Sequence, residues 1–180
     1  MSTAAAAKGA EKETSTGKRL TVQVTSLSEL LGAHPDSLEK MYRAGKAADP
    51  AELGESPRGL LLSSAKGKNV FLLTRPLMKA LGSGVLPWEG KTFDHGGNSG
   101  QNLVMGKRLT RFHAEVGPSE LDGKPSLILS YANPAHGNPW PLRDLRDELR
   151  TVAHGVAIGP AFFMGSGSPN LLMWFGLEAR

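Results

Sequence analysis

The spacing of apolar and polar residues changes along this chain, and with it the elements predicted. Residues 1–18 have no period: they are small, polar and charged, and predict a disordered tail because they bury too little apolar surface to offset ordering. Residues 20–25 alternate, as a short strand or extended arm does. Ser26 stands three residues before Glu29, a capping-box spacing, and Leu27, Leu30 and Leu31 give the helix that follows its apolar stripe. A second helix begins at His34–Pro35–Asp36, where the missing N–H of proline costs nothing. It buries Leu38, Met41 and Tyr42 and ends at Gly45. Residues 47–57 read as loop and Arg58–Ser64 as a short strand. Residues 70–73 fit either strand or helix, and a helix from Pro76 is stopped by Gly82.

From Trp88 onward the period is mostly two. Residues 103–116 predict one long strand, with Val104, Thr110, Phe112, Ala114 and Val116 on one face and Arg111, His113 and Glu115 on the other. Asp122–Gly123 marks a hairpin connection, and residues 126–131 form the next strand. After a loop with three prolines, residues 142–152 predict a helix. Pro141 suits its first turn, Leu142, Leu145, Leu149 and Val152 form a stripe, and the charged residues lie outside that stripe. Two strands follow, 156–164 and 171–178, joined by a Gly/Ser-rich tip.

Helices followed by antiparallel strands predict an α+β fold. Its N-terminal helices would pack on a curved antiparallel sheet, or on a small barrel closed by the helix of the C-terminal half. The expected organisation is a tail at 1–18 and a single domain at 19–180, helical over 19–85 and β-rich over 86–180.

Composition narrows the function classes. The 180 residues include no Cys, which excludes disulfides and thiolate chemistry. No run is long and apolar enough to predict a membrane span, and the N-terminus lacks the apolar core of a signal peptide, so a cytoplasmic location is expected. The net charge is +4, but Lys8, Lys12, Lys18 and Arg19 against Glu11 and Glu13 place half of it in the tail. The remaining basic residues are mixed with acids, so no specific nucleic-acid binding is expected.

The candidate chemistry is sparse. His34, His95, His113, His136 and His154 form no HxH or HExxH pair, so no metal site is expected, and no spacing selects a haem ligand or any other cofactor. Residues 94–102 (DHGGNSGQN) are rich in turn formers but lack the lysine of a phosphate loop and the acidic spacing of a calcium loop. His113 sits mid-strand beside Arg111 and Glu115 and would form a polar cluster if that face lined a cavity. Tyr131 and Asn133 end the following strand and offer hydrogen-bonding groups.

Residues 87–93, Pro-Trp-Glu-Gly-Lys-Thr-Phe, carry a W-x-G-K-x-F pattern. It is similar to one in small bacterial lipocalin-like proteins that bear a GXWXG motif, although Gly84 here precedes Trp88 by four residues rather than two. The order of elements after it, over residues 86–180, also resembles theirs. The resemblance implies a lipocalin-like half-barrel with an internal cavity, and no activity.

The expectation is therefore a protein that binds a small apolar or amphipathic molecule. Trp88 and Tyr131 would be its walls, Arg111 and His113 its polar orienters, and Asn133 would lie nearby. Two alternatives stand beside it. One is an isomerase, cyclase or lyase using His113 or Tyr131 as an acid–base group in the same cavity. The other is a structural or interaction protein with a solid core, docking a protein partner through its tail and N-terminal helices.

Overall fold

Alternation of period two runs through most of the chain and builds an up-and-down barrel. The computed structural model describes residues 24–64, 88–165 and 167–180. The expected tail, most of the arm at 20–25 and the elements expected at 70–81 lie outside the described residues. The strands are β1 (Lys46–Ala47), β2 (Arg58–Ser64), β3 (Trp88–Phe93), β4 (Ser99–Val104), β5 (Lys107–Pro118), β6 (Pro125–Ser130), β7 (Leu145–Ala153), β8 (Val156–Phe163) and β9 (Asn170–Glu178). From β2 to β9 each strand pairs antiparallel with the next, and β9 returns to β2. Closure leaves those eight strands without a free edge. β1 adds a short rung to β7 at Lys46↔Thr151 and Ala47↔Arg150. The barrel thus takes in β2, from the part of the sequence expected to be helical.

The inner face is aromatic and aliphatic: Phe93, Phe112, Leu129, Leu149, Phe175 and Leu177 are among the buried residues of one cluster. A second cluster lies outside the wall. There α1 (Pro35–Ala44) and a 3-10 turn (Leu27–Leu30) bury Leu27, Leu38 and Tyr42 against Val156, Ile158 and Trp174. Tyr42 meets Trp174 edge to face at 5.7 Å. α1 starts and stops where expected: Pro35 opens it, the His34 ring accepts from the Asp36 N–H, and Gly45 follows its last turn. The capping box at Ser26 is only half formed. Ser26 Oγ accepts from the Ser28 N–H, while the Glu29 carboxylate takes the Thr25 hydroxyl instead of reaching back to the cap.

Two expectations need correcting. The single strand expected over 103–116 is two, β4 and β5. Met105 (φ 51°) and Gly106 (φ 70°) turn the chain between them, the left-handed pair that a tight hairpin requires. The helix expected over 142–152 is a 3-10 turn (Leu142–Asp144) followed by strand β7, so this segment is part of the barrel wall and not a helix that closes it. Leu145 and Leu149 are four residues apart, which is one turn of a helix but also the same face of a strand. The deciding feature is what lies between them. Asp147 and Glu148 are buried rather than solvated, as is Arg150 just beyond Leu149, and they pair with Lys91, Tyr42 and Asp122, all distant in sequence.

β7 and β8 approach closely at Gly159, whose missing side chain makes room for the Glu148 carbonyl; a Cβ there would lie inside the oxygen's van der Waals radius. Gly159→Ala is expected to cost about 1–3 kcal/mol, the usual range for overpacking. Gly96→Ala, at a surface turn with ordinary contacts, should leave the urea midpoint nearly unchanged.

Candidate functional site

The W-x-G-K segment begins β3, and its glycine shapes the site. Trp88 pairs with Val104 and Gly90 with Leu103, so one residue is extra on β3 and the strand bulges. Gly90 has φ 136°, a conformation L side chains avoid, and a Cβ on it would strike the Pro57 carbonyl. The extra residue resets the alternation, and Trp88 and Lys91, three apart, both line the interior. Gly59 on β2 leaves space for the Trp88 ring, and Phe175 meets that ring edge to face at 5.8 Å.

Lys91 extends its ammonium into the barrel, where it is 2% exposed. Its three donors are all used: Nζ lies 2.7 Å from Asp147 Oδ2, 2.7 Å from the Tyr131 hydroxyl and 2.9 Å from Asn102 Oδ1. The Tyr131 hydroxyl donates to Asp147 Oδ2 at 2.8 Å and accepts from Asn102 Nδ2 at 3.0 Å. Trp88 Nε1 donates to Asn102 Oδ1 at 3.1 Å. The amide orientation of Asn102 follows, because lysine and tryptophan can only donate and so require an oxygen. Three strands and the end of β6 supply the cluster: β3 gives Trp88 and Lys91, β4 gives Asn102, β7 gives Asp147, and Tyr131, just past β6, is held by its N–H on the Leu145 carbonyl.

Around this cluster the walls are apolar. Lys91 Nζ lies 5.3 Å from the ring centres of Phe112 and Phe175, 5.4 Å from Tyr131 and 5.7 Å from Trp88. Burial pushes the Lys91 ammonium below its ordinary range, and the Asp147 carboxylate beside it holds it partly up. Burial also pushes the Tyr131 phenol well up, reinforced by the charge of Asp147. A cavity of about 50 Å³ adjoins the cluster, lined by Trp88, Lys91, Asn102, Tyr131 and Asp147 with Leu61, Met173 and Phe175 among its apolar walls. It reaches the half-buried Leu61 and Trp88 where β2 and β3 share a single registered pair, Arg58↔Gly90.

Outward-facing residues of β7 build a second network against α1. Glu148, fully buried, accepts from Tyr42 at 2.8 Å, from the Glu120 N–H at 2.9 Å and from Arg146 Nε at 3.0 Å. Arg150 grips Asp122 with both terminal nitrogens, at 2.9 and 2.7 Å, and its guanidinium lies 4.3 Å from the Tyr42 ring centre. This grip holds the Asp122 carboxyl down at about 2. The network joins helix, turn and wall, and touches no cavity that its members share with Lys91.

Of the residues singled out from sequence, Trp88 and Tyr131 line the cavity. Arg111 and His113 do not: both are exposed on the outer face of β5, with His113 Nε2 3.8 Å from Glu115. The parity expected for this strand is present, but its aromatic and small set, Phe112 and Ala114, is the one turned inward. Asn133 is also exposed, and its side chain caps the 3-10 turn Pro134–His136. Lys91, Asn102 and Asp147 were missed. Lys91 lies in the W-x-G-K pattern and Asn102 in the DHGGNSGQN stretch, whose first five residues form the β3–β4 turn and whose last four begin β4. Asp147 falls among the charged residues outside the apolar stripe of the helix expected over 142–152.

No family model matches the chain, and no curated protein does. A crystal structure of a protein from Thermomonospora curvata shares the fold, with a TM-score of 0.53 over 85% of this chain and 92% of that one, at 12% identity. Among the described residues no helix is long and apolar enough to cross a membrane.

Removing one member of the inner ion pair leaves the other charge buried alone. Lys91→Met and Asp147→Leu are each expected to lose about 3–5 kcal/mol in urea unfolding, and the double variant to regain most of it. The outer grip has a pH signature. Asp122 titrates below its ordinary 3.8 in the folded protein, so its contribution is complete above 3.8 and disappears as pH falls through about 2. Urea midpoints measured across that window should fall less steeply for Asp122→Asn than for the unaltered protein.

Proposed function

We propose that this protein binds a small apolar or amphipathic molecule whose polar head enters the barrel cavity beside Lys91, Asn102, Tyr131 and Asp147. In this reading the barrel is lipocalin-like, in keeping with the W-x-G-K pattern. The observation that carries the proposal is the convergence of four buried polar side chains on one small space inside an apolar barrel. Apolar walls with a few convergent polar groups characterise ligand sites. A solid core would be built more stably from aliphatic residues, because burying an ion pair rarely repays its desolvation.

The cavity volume limits what enters. About 50 Å³ is far below the roughly 300–1,000 Å³ of sites that enclose drug-sized ligands. It suits a head group of a few atoms, with the rest of the ligand lying along Leu61 and Trp88 where the cavity meets the surface. Trp88 and Tyr131 keep the wall roles expected of them, and Lys91, Asn102 and Asp147 replace Arg111, His113 and Asn133 as the polar set.

A second reading, an isomerase, cyclase or lyase, is favoured by one observation. Lys91 and Tyr131 are hydrogen-bonded partners whose proton affinities are pushed in opposite directions. Tyr131 would be the proton donor there, and His113 takes no part. The interaction-protein reading loses its main support, since the apolar residues Leu27, Leu30, Leu38 and Tyr42 are buried against the barrel.

Native mass spectrometry of the protein purified from its own host should show a bound small molecule, released on denaturation and absent from a folded Lys91→Met variant. Repeated isolation of unliganded protein, together with no thermal shift from a library of amphipathic small molecules, would refute binding. A recovered molecule that changes mass on incubation with the protein, and stays unchanged with Tyr131→Phe, would favour the enzyme.

A further inference from the structure

The hydrogen-bond inventory of the cavity identifies the kind of head group it accepts. Every Lys91 donor is engaged, so the ammonium has nothing left to offer a ligand without breaking a bond already made. The Tyr131 hydroxyl is likewise full, with two donors received and its proton given to Asp147. Asn102 Oδ1 already accepts from Lys91 and Trp88. What remains is a matched pair. Among the described residues, Asn102 Nδ2 spends one of its two protons, and Asp147 accepts through Oδ2 alone, leaving Oδ1 unused. Both residues line the cavity, and both are bonded to the same Tyr131 hydroxyl, so the spare donor and spare acceptor belong to one cluster beside the cavity.

The charge balance gives the same answer independently. Lys91 and Asp147 form a buried pair at 2.7 Å with side chains 2% and 8% exposed, and among the described residues the cavity lining holds no other charge. An ionised head group would enter a space where the one opposite charge is already neutralised, and would lose its hydration without gaining a counter-ion.

We infer that the ligand's head group is neutral and both donates and accepts one hydrogen bond, as an alcohol or a primary carboxamide does, and that Lys91 and Asp147 together exclude carboxylates and amines. This rests on the binding reading above. Asp147 Oδ1 accepts a hydrogen bond from the head group, Asn102 Nδ2 donates one to its oxygen, and Lys91, by neutralising Asp147, sets the polarity of the space without touching the ligand.

Three six-carbon probes test it: 1-hexanol, hexanamide and hexanoate, titrated by calorimetry into the full-length protein at neutral pH. The alcohol and the amide are expected to bind at least about tenfold more tightly than the acid, given the cost of an unpaired buried charge. Asp147→Asn leaves the Lys91 ammonium without its counter-ion, so in this variant hexanoate should gain at least about tenfold on hexanol and should raise the melting temperature, which hexanol should not. Lys91→Met should turn the preference toward hexylammonium in the same way. Hexanoate binding the unaltered protein as tightly as hexanol overturns the inference while leaving the binding reading intact. So does an acid-to-alcohol ratio that stays unchanged in a folded Asp147→Asn variant. If both variants fail to fold, the ratio in the unaltered protein decides alone. If none of the probes binds the unaltered protein, the binding reading falls and the inference falls with it.

Discussion

An ammonium group in the middle of a hydrocarbon barrel is tolerated only if every one of its protons has a partner and its charge has a counter-charge. Lys91 meets both conditions, and much of the interior is arranged around that requirement. Asn102, Tyr131 and Asp147 come from different strands, so the cluster forms only when β3, β4, β7 and the end of β6 are all in register. A slip of one residue on any of these strands would turn a polar partner to the outside and leave the ammonium unpaired. The same contacts that make the site therefore also select the register of the barrel.

β7 carries this logic on both of its faces. Asp147 turns inward to Lys91, while Glu148 and Arg150 turn outward to Tyr42 and Asp122. Charged residues on each side of a single strand are covered, inside by the barrel and outside by α1 and the 119–126 turn. The outer network ties the helix and the β5–β6 turn to the same strand that presents Asp147. Gly159 leaves room for the Glu148 carbonyl where β8 packs against β7.

The parts of the fold legible in sequence were those where local pattern and tertiary environment agree. α1 has a proline at its start, a glycine after its end and an apolar stripe between, and it is a helix. On β5 the alternation of Phe112 and Ala114 with Arg111 and His113 reads correctly as two faces, and the apolar one lies inside. β7 defeated the reading because Leu145 and Leu149 satisfy a helical and a strand period equally, and because Leu, Arg and Glu all favour helices. Charges between such leucines ordinarily mean a solvated face. Here Asp147 and Glu148 have buried partners far along the chain, Lys91 and Tyr42, and no local pattern reports that. Asn102 was hidden for a similar reason, among turn residues that signalled only a loop.

The W-x-G-K segment shows what a short pattern does convey. Its glycine is needed for a bulge, the bulge is needed to turn both Trp88 and Lys91 inward, and Trp88 then fixes the amide of Asn102 so that its oxygen faces the ammonium. With that amide reversed, Lys91 would meet two protons instead of an oxygen, and the Tyr131 hydroxyl would lose a donor. The indole is thus more than an apolar wall: by orienting Asn102 it determines which atoms of the cluster are spent internally and which are left for a ligand. That choice, a donor and an acceptor beside a neutralised pair of charges, follows from Trp88, Gly90 and Lys91 acting together with Asn102, Asp147 and Tyr131, and from none of them alone.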